Sequence, residues 1–484
     1  MTAYLILLVV TLILVMVTIR FVRKTGQWTF AVGMAILYAW TLMGAWFFVS
    51  DALSGYMGYR IGLNYYYLMP KMFPFELDAC YITSLVRYSA FLLMIVGVVW
   101  LIASRRDLNT SPMKTPIYVD HRIFIFLALL GAASSYALVR ATLMEAIAEG
   151  VSIYQFTRHT EYPGSTIHTL SNLVVCHSLL LGWMMSLTRK NARYLGSKDQ
   201  YWTAWLYPFA LILFSSYLLV LGNRHELFMA LILGAGLFIV NGGRLRSRAF
   251  ALYVVLAFVP MVLADVVRNH TWQEISTQVM LPKVIHPPFE IDIIAHVPRS
   301  PEGPMVEIGH KVFSNELFAA HFSMYGICRK KIPVDPFVSV NNLIASGIPR
   351  ILRSERPPTA YDRYAEGAGV DPDQGYTIHH AAAWYINGGW FGIVLGAVLL
   401  GGFWGWLLNA QTRPMQGSLF RRLFGIMGAT CFVAFLPAMV RDGPEIYKAL
   451  IIEGMALPIG VVFLAALSFR WNDHRSPKVN ESRW

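Results

Sequence analysis

The chain has 484 residues, of which 56% are hydrophobic and only 14% are charged, and its formal net charge is +12. About a quarter of the residues in an ordinary soluble domain are charged, so this composition excludes a soluble enzyme and indicates a polytopic membrane protein. The basic excess follows the positive-inside pattern of membrane proteins, and we therefore expect no nucleic-acid partner.

Apolar stretches of about 20 residues, the length that crosses a bilayer, predict roughly eleven transmembrane helices. In chain order they cover 3–22, 29–49, 79–103, 122–141, 167–187, 202–221, 225–243, 249–266, 385–410, 423–440 and 447–469. The expected fold class is an all-α polytopic membrane protein. Its predicted segments are eight N-terminal helices (1–266), a long loop with short helices (267–384), and three C-terminal helices with a tail (385–484).

Basic residues follow every second predicted helix. They are Arg20, Arg23, Lys24, Arg105, Arg106, Arg189, Lys190, Arg193, Lys198, Arg244, Arg246, Arg248, Arg413, Arg421, Arg422, Arg470, Arg475, Lys478 and Arg483. Because positive loops stay in the cytoplasm, this pattern predicts an outer N-terminus and a cytoplasmic C-terminus. The loop 267–384 is then on the outer side.

The loop 267–384 is long and rich in proline, which blocks long regular elements. Within it, 312–327 spaces apolar residues at helical period and predicts a short amphipathic helix lying on the membrane or on the bundle. A loop of this length in a compact protein is typically a lid or a binding element. We interpret it as the segment that captures substrate.

Ionisable residues cluster at the outer ends of the predicted helices. One cluster is Arg224, His225 and Glu226, between two apolar runs; the others contain Arg158, Arg350, Arg353, Arg356, Arg441, Asp442 and Glu445. Guanidinium groups form bidentate, charge-assisted bonds with phosphates. We expect Arg224, Arg350, Arg353, Arg441 and Arg158 to bind a lipid-linked diphosphate. Alternatively, these arginines reach lipid headgroups or pair with neighbouring acids.

Two adjacent histidines, His379 and His380, stand before the ninth predicted helix. Adjacent helical residues do not face the same site, so one histidine could act in catalysis and the other could be structural. A neutral imidazole could take the proton of an attacking hydroxyl. A structural histidine bonded to a loop carbonyl is the alternative. The glycines that follow predict a face for close helix packing, at Gly388, Gly389, Gly392 and Gly396.

We predict no metal site and no other cofactor. Asp371 and Asp373 form an Asp-x-Asp pair, but the surrounding Pro-Asp-Gln-Gly sequence is typical of a turn. The four cysteines are scattered in sequence, at Cys80, Cys176, Cys328 and Cys431. Their spacing predicts neither a disulfide framework nor a zinc site.

Three segments, GNRHELFMALI, IPRILRSERP and YINGGWFGIVLG, together resemble the O-antigen or oligosaccharide repeat-unit polymerases of bacterial surface-polysaccharide pathways. The likeness covers about half of the chain. The residues that match the short motifs of that family are Gly222, Arg224, Ile348, Pro349, Arg350, Tyr385, Asn387, Gly389 and Gly392.

The resemblance implies a helical bundle like that of C-type glycosyltransferases in the bacterial inner membrane. It implies polymerisation, at the periplasmic face, of undecaprenyl-diphosphate-linked repeat units into O-antigen, capsule or exopolysaccharide. The implied partners are these glycans, membrane lipid and a chain-length regulator protein.

Two questions remain open at the level of sequence. Many family members carry a carboxylate where this chain has Ala381, Ala382 and Ala383. The base is therefore His379 or His380, with Glu226 and Asp442 as the next candidates.

The second question is the class of activity. The histidine pair is closer to the related O-antigen ligases, which transfer glycan to lipid A core. A lipid-glycan flippase is a third alternative, and it would need charges deep inside the spans; Arg87 and Asp265 are the candidates considered for such charges. Because most of the charge lies at the outer ends, the sequence favours an enzyme.

Overall fold

The computed structural model describes residues 1–54, 76–103, 117–150, 153, 156, 165–187, 197–221, 225–240, 251–255, 316–346, 348, 356–369, 377–412 and 418–475. In these ranges every regular element is a helix, and eight helical stretches are long and apolar enough to cross a membrane. The prediction of an all-helical, multi-pass membrane protein is thereby confirmed.

The longer helices follow the predicted spans. They are α1 (Thr2–Thr25), α2 (Trp28–Tyr38), α3 (Gly44–Ser54), α4 (Ala79–Ala103), α5 (His121–Glu149), α6 (Ser165–Ser186), α7 (Ser197–Leu221) and α8 (His225–Val240). A π-helical segment, Ala39–Met43, joins α2 to α3, so that Trp28–Ser50 forms one span. The apolar parts of α7 and α8 are shorter than the other spans. Most of the predicted span 249–266 lies outside the described residues.

The described part of the long loop contains four short helices, namely α9 (Glu316–Ala319), α10 (Phe322–Lys330), α11 (Val338–Ser346) and α12 (Ala360–Ala368). The last three spans contain α13 (His380–Thr412), α14 (Leu419–Arg441) and α16 (Leu457–Arg475), and the final span runs over Pro444–Trp471. Between α14 and α16 lie the 3₁₀ turn Pro444–Ile446, the single turn α15 (Tyr447–Ala449) and the π-helical Leu450–Ala456.

The chain forms two compact units, each built from segments that are far apart in sequence. The first contains Met1–Thr110, Ile291–Ala410 and Phe435–Leu450, and the second contains Ser111–Glu290, Gln411–Ala434 and Ile451–Trp484. The described helices of the long loop therefore belong to the same unit as α1 to α4.

In the first unit, side-chain amides connect the C-terminal end of α13 to its neighbours. Gln27 Nε2 donates to the carbonyl of Leu408 (2.9 Å), and Asn409 Nδ2 donates to the carbonyl of Ile102 (2.8 Å). The rings of Phe30 and Trp404 pack nearby, with centroids 5.1 Å apart. Since lipid cannot satisfy free carbonyls, such side-chain bonds stabilise helix ends and irregular backbone within a membrane.

In the second unit, Asp120 fixes the start of α5. Its carboxylate caps the helix by accepting from Arg122 N–H (3.0 Å). It also accepts from the Ser468 hydroxyl (2.9 Å), which connects the start of α5 to α16. Deeper in the unit, the Ser135 hydroxyl bonds Asn172 Oδ1 (2.6 Å) and Tyr217 Oη (2.8 Å), which connects α5 with α6 and α7. Interhelical bonds of this kind hold apolar spans in one register.

A disulfide joins Cys80, at the start of α4, to Cys328 in α10, so the prediction of no disulfide was wrong. The two cysteines are 248 residues apart, and sequence spacing carries no information about a contact that forms only when the loop folds back onto α4. Disulfides persist in oxidising compartments, so this bond predicts that the start of α4 and α10 face such a compartment; the outer location stays a prediction.

The predicted amphipathic segment 312–327 forms α9 and most of α10 over its described part. Phe318, Phe322 and Tyr325 are all buried, so this segment lies on the bundle, one of the two alternatives that its periodicity allowed. In the described part of the loop, exposed apolar side chains lie in and beside α11: Ile344 is 68% exposed, and Phe337, immediately before the helix, is 62% exposed.

The helix α13 is broken near its start. Gly388 and Gly389 have non-helical backbone angles, and Gly389 has a φ of 57°, which favours glycine. A Cβ atom on Gly392 would collide with the carbonyl oxygen of Trp384, and one on Gly396 would collide with the Trp384 indole. The small-residue face predicted here thus receives the first turns of the same helix, folded back against the remainder.

The loop before α11 satisfies the carbonyl groups that the break leaves free. Asp335 N–H donates to the carbonyl of Ile386 (2.8 Å), and Phe337 N–H donates to that of Asn387 (3.4 Å). The Asn387 side chain in turn accepts from Ser339 N–H (2.9 Å) and donates to Ser339 Oγ (2.7 Å). The break is therefore a fixed feature of the fold with its backbone groups paired.

Candidate functional site

His379, immediately before α13, is fully buried and both of its ring nitrogens have partners. The Thr41 hydroxyl donates to the Leu37 carbonyl (2.6 Å), so it accepts from His379 Nε2 (3.0 Å). Nδ1 accepts from Ala381 N–H (3.1 Å). This network assigns the neutral tautomer with its proton on Nε2.

The surroundings of His379 keep it neutral. Burial lowers its pKa well below the usual value, and the neighbouring His380 and His321 lower the pKa further. The ring stands edge-on to Tyr88 at 4.6 Å between centroids, and its backbone N–H donates to Ser323 Oγ (3.0 Å). This geometry is that of a histidine which holds the π-helical segment Ala39–Met43, α4, α10 and the start of α13 together.

His380 fixes the turn that follows α14. Its Nδ1 donates to the carbonyl of Asp442 (2.9 Å), because a carbonyl can only accept. Its Nε2 then accepts from the Trp384 indole N–H (3.1 Å) and lies 3.0 Å from Tyr447 Oη. His380 thus positions the turn 441–447 through the backbone of Asp442.

That turn brings a cation and a carboxylate to the surface side by side. The side chains of Arg441 and Asp442 are 48% and 41% exposed, and the two charged groups are 3.8 Å apart. An exposed pair at this distance contributes little to stability. Arg441 also ends α14, a helix that is almost entirely buried over its apolar length. The chain therefore presents these two side chains at one fixed place.

Glu445 and Lys448 join the same turn to the folded loop. Glu445 Oε1 accepts from Ala360 N–H (2.9 Å) at the start of α12, where the helix dipole favours a negative charge. Lys448 Nζ donates to the Ser346 carbonyl (3.0 Å) at the end of α11. The turn, α11 and α12 therefore form one bonded surface around the start of α13.

Another buried histidine, His321, connects the loop to α4. Its Nδ1 donates to the Phe318 carbonyl (2.8 Å), and its Nε2 accepts from the Tyr81 hydroxyl (3.1 Å). Burial lowers the pKa of His321 to about 3, so the imidazole is neutral at physiological pH. Together with the disulfide of Cys80 and Cys328, this contact fastens α9 and α10 to α4.

Arg87 lies in α4 beside the break in α13. Its Nη2 donates to Tyr385 Oη (2.9 Å), and the guanidinium carbon lies 4.0 Å from the Tyr385 ring centroid and 5.9 Å from that of Trp390. These distances are those of cation–π contacts. Tyr385 precedes the break and Trp390 follows it, so the break itself places the two rings around one guanidinium.

The predicted site residues divide between the two units. Arg441, Asp442, His379 and His380 are brought together in the first unit, around the start of α13. Glu226 belongs to the second unit, where it is buried in the first turn of α8. The predicted Arg158, Arg224, Arg350 and Arg353, and also Asp265, Asp371 and Asp373, lie outside the described residues. The catalytic and diphosphate-binding roles remain predictions.

Sequence reasoning missed two features of this region. The disulfide could have been suspected because Cys80 and Cys328 both fall on the predicted outer side. Arg87 was visible as a charge within an apolar span, but its aromatic neighbours are about 300 residues away in sequence. Within the part of the chain that the structure describes, no group of three histidine, cysteine or acidic residues is placed to hold a metal ion.

Comparison with known proteins adds no assignment. No protein-family model matches the chain, and no curated protein and no solved structure is similar to it.

Proposed function

We propose that this protein is a membrane glycosyltransferase that joins undecaprenyl-diphosphate-linked oligosaccharide repeat units at the outer face of the bacterial inner membrane. One observation carries the proposal: Arg441 and Asp442 emerge together on a turn that His380 and Glu445 hold at the start of α13. A fixed cation can stabilise the negative charge of a leaving diphosphate, and a carboxylate beside it can accept the proton of the attacking hydroxyl. The motif resemblance supplies the class of substrate.

In the proposed reaction, a hydroxyl of the acceptor glycan attacks the anomeric carbon of the donor. The bond between that carbon and the diphosphate oxygen breaks, and undecaprenyl diphosphate leaves with the bonding electrons. Arg441 stabilises the negative charge that develops on the diphosphate, because a preorganised guanidinium needs no rearrangement during the step. The Asp442 carboxylate takes the acceptor proton.

His380 is a positioning residue in this scheme, and His379 a structural one. Each imidazole uses both nitrogens in bonds within the protein, which leaves neither in a position to take a proton without first losing such a bond. Asp442 and Glu226 are the sequence-based alternatives to the histidines, and Asp442 is the more accessible of the two because Glu226 is buried.

The proposal predicts elongation of lipid-linked repeat units by the purified full-length protein in proteoliposomes. Asp442→Asn should lower the rate of elongation about a hundredfold to ten-thousandfold, the range for removal of a general base. Arg441→Gln should lower it about a hundredfold to a thousandfold, as for loss of one group that stabilises transition-state charge. Elongation is measured as the ladder of product lengths on a gel.

Arg421→Gln is the matched control, since Arg421 is an exposed arginine near the opposite end of the same helix α14. It should elongate at the wild-type rate. The absence of any new glycosidic bond with wild-type protein and authentic donor would reject the glycosyltransferase. Normal elongation by Asp442→Asn would instead reject only its role as the base.

A second candidate is the ligase reaction, in which lipid A core is the acceptor; the adjacent histidines in the sequence favour it. Deletion of the gene for this protein in the native host distinguishes a polymerase from a ligase. Loss of a polymerase leaves lipid A core capped with single repeats, whereas loss of a ligase leaves long unattached lipid-linked chains.

A further inference from the structure

Arg87 occupies an unusual place for a charged side chain. It stands eight residues after the start of α4, and at a rise of about 1.5 Å per residue it lies about 12 Å along the span. Charged residues at such depth are rare and are kept where they pair or bind something. Among the described residues, no carboxylate forms an ion pair with Arg87.

Within the part of the chain that the structure describes, the Arg87 guanidinium is incompletely bonded. Of its five N–H donors, one is directed at an oxygen, Tyr385 Oη, while Nη1 has only the Met324 sulfur at 4.0 Å. Nε is buried without a partner. An arginine with a purely structural role, half-buried in an apolar span, would be expected to satisfy its donors with protein oxygens.

The indole ring of Trp390, which follows the break in α13, lies at the apolar surface of the first unit. Trp390 is 47% exposed and its neighbour Phe391 is 71% exposed, as expected of side chains that meet lipid. Phe337, whose backbone N–H bonds the carbonyl of Asn387, is also largely exposed. A lipid in the outer leaflet can therefore lie against Trp390 while its headgroup reaches the guanidinium.

We propose that Arg87, Tyr385 and Trp390 form a binding site for a phosphate or diphosphate ester carried on a membrane lipid. Nη1 and Nη2 bind the phosphate oxygens, Tyr385 holds the plane of the guanidinium, and Trp390 packs against the first carbons of the lipid chain. The site adds a phosphate contact within the span to the arginines at its outer end. It deepens the proposed function, on which the identity of the lipid as the glycan carrier rests.

The test uses the full-length protein in nanodiscs of phosphatidylcholine, with binding of undecaprenyl diphosphate measured by native mass spectrometry. Arg87→Gln should weaken binding about tenfold to a hundredfold, the effect of losing charge-assisted hydrogen bonds. The affinity of Arg87→Lys should lie between those of the wild type and Arg87→Gln, because lysine keeps the charge but loses the planar fork. Arg140→Gln, at an exposed arginine of α5, is the matched control and should bind as the wild type does.

Two further probes identify the source of the phosphate. Competition by phosphatidylglycerol at similar concentration would assign the site to lipid phosphates in general, and competition by inorganic pyrophosphate alone would overturn the assignment to a lipid. Tyr385→Phe keeps the stacked ring and should lose less affinity than Arg87→Gln. Size-exclusion chromatography checks that both proteins are folded. If they are, equal binding of undecaprenyl diphosphate by the wild type and Arg87→Gln would overturn the site.

The outcome for this site is separable from that for the reaction. If wild-type protein elongates glycans and Arg87→Gln both binds and elongates normally, the site is wrong and the glycosyltransferase stands. If Arg87→Gln loses lipid binding but the wild type forms no glycosidic bond, the site stands and the proposed reaction is wrong. In that case an intramembrane phosphate site points to translocation of the lipid rather than to its chemistry.

Discussion

At the scale of single residues, the buried histidines of the first unit are connectors. His321, His379 and His380 each use one nitrogen as a donor and the other as an acceptor, and each joins segments that are distant in sequence. A neutral imidazole is suited to this task because it offers one donor and one acceptor on a rigid ring. The same property makes these contacts sensitive to acid.

The acid sensitivity of His321 is a testable prediction. Its pKa is about 3 in the folded protein, against about 6.5 in an unfolded chain, so the unfolded state binds the proton first as the pH falls. The stabilisation is complete above about pH 6.5 and is lost progressively as the pH falls toward 3. Between pH 7.5 and 5.5 the loss of stability from this one group is about 1.4 kcal/mol.

Thermal unfolding in detergent at several pH values measures this loss. His321→Asn, which keeps a donor for the Phe318 carbonyl but does not titrate, should be less stable at neutral pH and should lose less stability on acidification. Burial and the neighbouring His380 and His321 also lower the pKa of His379, so its protonation should likewise destabilise the folded protein as the pH falls. A wild-type melting temperature that does not change between pH 7.5 and 5.5 would contradict this account.

At the scale of elements, the break in α13 organises the first unit. It folds the first turns of the helix back onto Gly392 and Gly396, and it places Tyr385 and Trp390 on either side of Arg87. The loop before α11 pairs with the carbonyls that the break exposes. A continuous helix in this position would remove the cation–π arrangement and the support for α11 together.

The close packing at the break predicts the effect of a single methyl group. Gly392→Ala would place a Cβ atom against the Trp384 carbonyl oxygen, a backbone atom that cannot move aside without shifting the first turns of α13. Overpacking of this kind costs about 1–3 kcal/mol. We expect a lower melting temperature in detergent together with weaker binding of lipid phosphate, since Tyr385 and Trp390 would shift.

Gly97→Ala is the matched control, because a Cβ atom on Gly97 of α4 would have no atom within 4 Å. It should leave stability unchanged or raise it by up to about 1 kcal/mol, the helix propensity difference between glycine and alanine. If Gly392→Ala melts at the same temperature as Gly97→Ala, the folded-back arrangement of α13 is incorrect.

At the scale of the whole molecule, the orientation in the membrane is a prediction from the basic residues that follow every second predicted helix, and the disulfide adds a second argument for it. The disulfide of Cys80 and Cys328 belongs in an oxidising compartment, and the predicted topology assigns the start of α4 and α10 to the outer side. Arg421 and Arg422, near the start of α14, are on the predicted cytoplasmic side. The two ends of α14 should therefore face different compartments, with Arg441 outside.

Labelling of introduced cysteines tests this orientation. In a parent protein with Cys176 and Cys431 replaced by alanine and the disulfide retained, Glu366→Cys in α12 should react with an impermeant thiol reagent in spheroplasts. Ser418→Cys, just before α14, should react only after the membrane is permeabilised. Both positions are exposed, so the difference reports sidedness rather than burial. Labelling at Ser418 alone would invert the orientation and remove the proposed site from the outer face.

The sequence by itself determined the class of the protein and the positions of its long helices. The apolar length needed to cross a bilayer is a local property, and for that reason the predicted spans 79–103 and 167–187 agree within a residue with Ala79–Ala103 and Thr166–Ser186. Local signals also marked the glycines at 388–396 and the histidine pair as unusual. They did not tell which partners those residues would meet.

Only the tertiary structure decided how these residues are used. His379 meets Thr41 and Arg87 meets Tyr385 across about 300 residues of chain or more, and Cys80 meets Cys328 across 248. Such contacts depend on which helices pack together, which no short window of sequence encodes. The glycines of α13 show the same limit: their small size predicted a close approach, and the folded chain decided that the approaching segment is the start of the same helix.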